Sequence, residues 1–89
     1  MNELAKSREE IDRLDKQLLN ILSQRFKLTR QIGLFKKEHD LPMKDPQREA
    51  EMIKKRLTSG QKLKLSPIFI EKIFKLIVTS VVRENERLK

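Results

Sequence analysis

There is no cysteine, tryptophan or tyrosine among the 89 residues, and glycine occurs only twice. Without cysteine the chain forms no disulfide, offers no thiolate to a metal and has no cysteine nucleophile. The single histidine, His39, has no second histidine near it, so a metal role is not expected there. It reads as a surface residue near a helix end. Proteins that grip single-stranded nucleic acid interleave aromatic stacking platforms with basic residues. Here the only aromatics are four phenylalanines, all in apolar patterns that read as core. Long apolar runs are missing as well. Leu76-Ile77-Val78 is far too short to cross a bilayer. The opening MNELAKSREE lacks the apolar segment of a signal peptide. The expectation is a cytoplasmic protein that does not enter the membrane, with Met1 as its native start. No strand pattern, internal repeat or low-complexity segment is visible.

What the chain does have is charge. Lysine and arginine number 21 against 13 acidic residues, a net +8. A partner of opposite sign follows from that, whether nucleic acid, a membrane surface or a small polyanion. The length suits one domain, residues 1–89. A chain of this size buries only about 60% of its unfolded surface, so its own core is marginal and a partner chain would help.

Residues 3–39 contain no proline and one glycine, Gly33. Leu4, Ile11, Leu14, Leu18, Leu22, Ile32 and Phe35 recur at helical spacing, which predicts one helix over about 5–38. At 1.5 Å per residue it would be roughly 50 Å long, wider than a globule this small. One chain cannot cover both ends of it, and pairing with the same helix of a second chain is the expected solution. Gly33 costs roughly 1 kcal/mol relative to alanine inside a helix. It either permits close packing or allows a slight bend. Leu41-Pro42-Met43-Lys44 reads as a short linker. Asp45-Pro46 then has the form of an N-cap followed by proline at the first helical position, with Glu49 in the first turn. This second helix is expected to run to about Ser59 and stop at Gly60, with Gln61–Leu65 as a loop. Ser66-Pro67 repeats the cap-and-proline form. A third helix follows, carrying Ile68, Ile70, Ile73, Phe74, Ile77, Val78, Val81 and Val82. The fold class is therefore all-α, with a long, a short and a long helix.

Polar residues fall among the apolar positions of the first helix. Arg25 and Lys36 are about 20° apart around the helix and share a face with Leu22 and Ile32. Arg8 lies about 100° around from Arg25 and roughly 25 Å away along the axis. It cannot easily join Arg25 in one small site of the same chain, but it could join the matching site of an antiparallel partner. Each of these charges taken alone also fits an ordinary solvated side chain whose stem snorkels. Asp45 is equally explained as a cap, and Glu49 suits the positive end of a helix.

Taken together, Arg8, Asp15, Arg25, Gly33, Lys36, Asp45, Arg48 and Glu49 stand in an ordered pattern. The stretch REEIDRLDKQLLNILSQR, the Gly33-to-Lys36 step and PMKDPQRE resemble the all-helical (AroQ) class of chorismate mutases over nearly the whole chain. The third helix matches less well. The resemblance implies an intertwined homodimeric helical bundle with two active sites. Each site would draw most residues from one chain and Arg8 from the other. Arg25 and the partner's Arg8 would pair with the carboxylates of chorismate, and Arg48 would support the site around one of them. Lys36 would approach the ether oxygen of the breaking bond. Glu49 would accept from the substrate hydroxyl, and Asp45 would act near it through its backbone. Many relatives carry a serine on the third helix and, four residues later, a glutamine that donates to the ether oxygen. Gap-free alignment puts Val81 and Asn85 there; a shift of one residue would put Ser80 and Glu84 there instead. Asn85 is a shorter amide that can donate, whereas Glu84 could donate only when protonated. The apolar pattern keeps its phase without a shift, which favours Asn85.

Rearranging chorismate to prephenate in the biosynthesis of phenylalanine and tyrosine needs no nucleophile, metal or cofactor. It needs a flexible dianion held in its reactive conformer and a fixed cation where charge grows on the ether oxygen. Arginine forks suit carboxylates, and a compact ammonium suits a single oxygen. Three other readings stay open: an isochorismate-pyruvate lyase on the same scaffold, a basic helical dimer binding nucleic acid, and a non-catalytic member of the mutase fold. The second is disfavoured by the placement of the aromatics.

Overall fold

The structure is a computed structural model and describes residues 2–88. It contains three helices, α1 (Asn2–Glu38), α2 (Pro46–Lys62) and α3 (Pro67–Glu86), and no strand among the described residues. Both expected N-caps form. The Asp45 carboxylate accepts from the Arg48 backbone N–H at 3.1 Å, and the Ser66 hydroxyl accepts from that of Phe69 at 3.3 Å. Proline follows each cap in the first turn, where its missing N–H costs nothing.

The helix ends differ from expectation. α2 does not stop at Gly60 but runs to Lys62. The Leu65 N–H bonds back to the Gly60 carbonyl and the Lys64 N–H to that of Gln61, with Lys64 at φ 61°. This is a Schellman motif whose left-handed residue is a lysine. α1 ends in the same way: the Leu41 N–H reaches the Lys36 carbonyl at 2.8 Å, and Asp40 has φ 54°. Neither glycine has a positive φ. Both are buried within helices, at points of close approach. A methyl group on Gly60 would lie 2.9 Å from Ile70 Cγ1, so this glycine sets how closely α2 meets the start of α3.

α3 packs against both other helices, whereas the backbones of α1 and α2 make no direct approach. Met52, Ile53, Ile70 and Ile77 form the small apolar core between α2 and α3. On α1, Gly33 is the one buried residue, and every residue from 2 to 21 is exposed. The first half of α1 thus projects from the body, and the chain is 57 Å long in its greatest dimension. Its radius of gyration is 16.5 Å, against about 12 Å for a compact chain of this length. Its accessible surface is 7845 Å², roughly 2,400 Å² more than a folded monomer of this mass presents.

The phenylalanines correct the reading of all four as core. Phe35 and Phe69 are each 54% exposed, while Phe26 and Phe74 are half-buried. Phe35 stacks on His39, with ring centroids 4.1 Å apart. The apolar pattern gave the right faces, but a single chain covers only part of them. No helix of the described residues is long and apolar enough to cross a membrane.

Candidate functional site

The second half of α1, the linker, the first turns of α2 and the last turns of α3 enclose a cleft of about 860 Å³. Its position follows from the topology. α3 holds the other two helices apart, and the gap between α1 and α2 is filled by side chains only. Arg25, Thr29, Ile32 and Lys36 reach it from one face of α1. Asp45, Arg48, Glu49 and Met52 line it from the start of α2, and Val78, Val81, Val82 and Asn85 from α3.

Of the residues singled out in the sequence, Arg25, Lys36, Asp45, Arg48, Glu49, Val81 and Asn85 all meet here. Arg8 does not. It stands exposed on the projecting half of α1, as does Asp15. The shifted pair lies elsewhere. Glu84 is outside the cleft, where its Oε1 accepts from Arg30 Nη2 at 2.7 Å and Nε at 3.2 Å, tying α3 to α1. Ser80 is outside the cleft too.

Each cation has a distinct setting. Arg25 is half-buried, and its Nη2 points at the Met52 sulfur 3.7 Å away, a weak acceptor that leaves the charge unbalanced. Burial lowers the guanidinium's hold on its proton, and repulsion from Arg56 and Arg48 lowers it further. Lys36 is half-buried, and its ammonium donates to the Met43 carbonyl at 3.2 Å, which fixes the linker against the end of α1. Among the described residues the ion pairs are Arg13–Glu10, Arg30–Glu84 and Lys75–Glu71. Arg25, Lys36 and Arg48 belong to none of them. These three cations share the concave surface with the carboxylates of Asp45, Glu49 and Glu86 but pair with none of them, and an entering anion relieves their mutual repulsion. The opposite wall is apolar at Val78, Val81 and Val82, with Arg83 and Glu86 completing it on the last turns of α3.

Asn85 is the one buried polar residue among the described residues, 5% exposed. Its Nδ2 donates to the Thr29 carbonyl at 3.1 Å. The sequence reading missed Thr29, Met52, Arg83 and Glu86, which line this site, and Arg56, which lies outside the lining but close enough to repel Arg25. Arg56 lies on the α2 stripe of Arg48 and Met52, each one turn further on, and its guanidinium stands 5.8 Å from the centroid of the Phe74 ring. The four-residue spacing Arg48–Met52–Arg56 was the signal available for it. Among the described residues no cluster of acidic or histidine side chains forms a metal site.

Comparison with known proteins agrees with this geometry. The family model described as chorismate mutase type II matches residues 7–86. The T-protein of Enterobacter agglomerans is 34% identical over 86 residues, covering 96% of this chain but 23% of that protein. The bifunctional chorismate mutase/prephenate dehydratase of Escherichia coli K12 is 31% identical over 87 residues, 98% of this chain and 22% of the relative. That of Aquifex aeolicus is 44% identical over 55 residues, 62% of this chain and 15% of the relative. The chain therefore spans less than a quarter of the length of these curated relatives. With the match running from Ser7, just before Arg8, to the last residue of α3, and taking in every cation of the cleft, the chain belongs to the chorismate mutase type II family.

Proposed function

We propose that the chain is a chorismate mutase that rearranges chorismate to prephenate, and that it works as a homodimer with sites shared between chains. The observation that carries this reading is the convergence of Arg25, Lys36 and Arg48, none ion-paired, on one cleft walled by valines. A small dianion is the ligand such a surface selects. Arg25 and Arg48 offer planar forks for carboxylates, and Lys36 offers a single ammonium for the ether oxygen of the breaking bond. Glu49, half-buried at the start of α2, is an acceptor for the substrate hydroxyl, with Asp45 beside it at the cap. Binding freezes the side chain of chorismate over its ring, and the charge that develops on the ether oxygen meets a cation already in place.

The dimer rests on α1. Leu4, Ile11, Leu14 and Leu18 are 49–57% exposed. At 100° per residue they lie within about 50° of the direction shared by Arg25, Thr29, Ile32 and Lys36. One face of the helix is thus an uncovered apolar stripe in its first half and the wall of the cleft in its second. A second copy laid antiparallel, crossing near residues 16 and 17, covers both at once. It also brings Arg8 of the partner subunit level with Arg25. The surface excess of roughly 2,400 Å² per chain is of the size that obligate dimers bury.

The deciding experiment is to add purified chain to chorismate, follow its disappearance and identify the product by chromatography. Prephenate is the expected product. No consumption by a folded helical dimer would overturn the proposal. Release of pyruvate from isochorismate, with chorismate untouched, would replace it with the lyase reading.

A further inference from the structure

Gly33 and Asn85 form a joint between α1 and α3, and it accounts for both residues. The Asn85 amide lies flat on the α1 backbone at Gly33. A methyl group there would come within 2.6 Å of Asn85 Oδ1 and 2.7 Å of Nδ2. No side chain larger than hydrogen leaves room for the amide. From that seat Nδ2 donates to the Thr29 carbonyl at 3.1 Å. Thr29 lies one helical turn before Gly33, so its carbonyl already accepts the Gly33 N–H within α1. The carbonyl has a second lone pair, and the asparagine takes it without opening the helix. This contact crosses 56 residues of chain and joins Asn85, 5% exposed, to the half-buried Thr29, so water dilutes it less than a surface hydrogen bond.

The geometry points to Asn85 as a positioning residue. We infer that its amide locks the last turns of α3 onto α1 and so fixes the valine wall opposite Arg25 and Lys36, and that it does not donate to the substrate. The amide nitrogen is turned to α1. Among the described residues no side-chain hydrogen bond ends on Oδ1, so the atom without a protein partner is an acceptor, unsuited to an ether oxygen. Lys36 then remains the donor assigned to that oxygen. The inference rests on the mutase reading for the identity of the substrate, but the joint itself does not.

The test exchanges the two sides of the joint. Asn85→Ala leaves a hole over Gly33 and frees the end of α3. Thermal unfolding should fall by several degrees. Turnover should fall about tenfold or more, because a displaced wall lets the bound substrate leave its reactive geometry, and KM should rise as ground-state contacts are lost. Gly33→Ala alone should cost about as much, since its methyl expels the amide. The double variant Gly33→Ala/Asn85→Ala refills the hole with a methyl, and should unfold at a higher temperature and turn over faster than either single variant. If the double variant regains the unfolding temperature but keeps the low kcat of Asn85→Ala, the amide acts on the substrate and the inference is overturned. If the two unfolding shifts simply add, there is no joint. A chain with no turnover at all would fail the mutase reading, while the unfolding cycle would still decide whether the joint exists.

Discussion

The Lys36 ammonium donates to the carbonyl oxygen of Met43 across 3.2 Å, joining the last turn of α1 to the linker that leads into α2. An ammonium has three N–H groups. One is spent on holding the lysine in place, and the others remain for a ligand in the cleft. The same bond places the cation without neutralising it.

Lys36→Ala should therefore lower kcat by about 10²–10³, the cost of losing one preorganised donor in the transition state. Unfolding should change little, since Lys36 is only half-buried and belongs to no ion pair. Steady-state kinetics beside a thermal melt checks both. Near-normal turnover would remove Lys36 from the mechanism.

Arg8→Ala and Arg25→Ala should each be inactive, although Arg8 is exposed and outside the cleft of its own chain. Unfolding the two variants together and refolding them should restore about a quarter of the wild-type activity. Half of the dimers are then mixed, and each mixed dimer has one intact site. No recovery in a mixture verified to contain mixed dimers would refute shared sites.

Burial and the neighbouring Arg56 and Arg48 lower the pKa of Arg25. A lowered pKa on a cation means that its charge disfavours the fold at every pH below that value. Ordinary pH changes cannot relieve it; salt leaves the cost of burial in place but screens the repulsion from Arg56 and Arg48. Added sodium chloride should raise the unfolding temperature of the wild type. Arg56→Leu should flatten that rise more than a control change at the exposed Lys55. Equal slopes for the two variants would show that Arg56 is not part of the strained group.

Gly60→Ala tests the contact between α2 and α3. The added methyl would sit 2.9 Å from Ile70 Cγ1, at one of the four buried core residues. Overpacking of this kind costs about 1–3 kcal/mol. Denaturant titration should show that loss, even though alanine is the better helix former. A stabilised variant would mean that α2 and α3 can separate freely at this point.

Glu71 and Lys75, one turn apart on α3, are joined at 2.8 Å. That hydrogen bond lowers the Glu71 pKa and raises that of Lys75. A depressed carboxylate gives stability that is present above its unfolded range and lost as pH falls through the folded value. A raised lysine gives stability that is present below its unfolded range and lost as pH rises through the folded value. The pair therefore helps across neutral pH, and slightly, because both side chains are open to solvent over about half their surface. In an NMR titration, Lys75→Ala should return Glu71 to a higher midpoint. An unmoved midpoint would exclude the pair as the cause.

How much the sequence determined can be judged residue by residue. The two cap-and-proline signals fixed the starts of α2 and α3, because a cap is satisfied by its own neighbours and needs nothing distant. The shared face of Arg25 and Lys36 was legible for the same reason, since helical geometry alone sets it. Gly60 was misread as a helix stop. A glycine signals either a left-handed residue or a close contact, and only the partner across the gap, Ile70, says which. The role of Gly33 stayed open until Asn85 was seen lying on it, 52 positions away in sequence. Which of Asn85 and Glu84 lines the cleft turned on the rotation of α3 against its neighbours, and only packing sets that rotation. Local chemistry is written in neighbouring residues and can be read from them. Which distant surfaces meet depends on the free energy of burying them together, and the tertiary structure alone decided that.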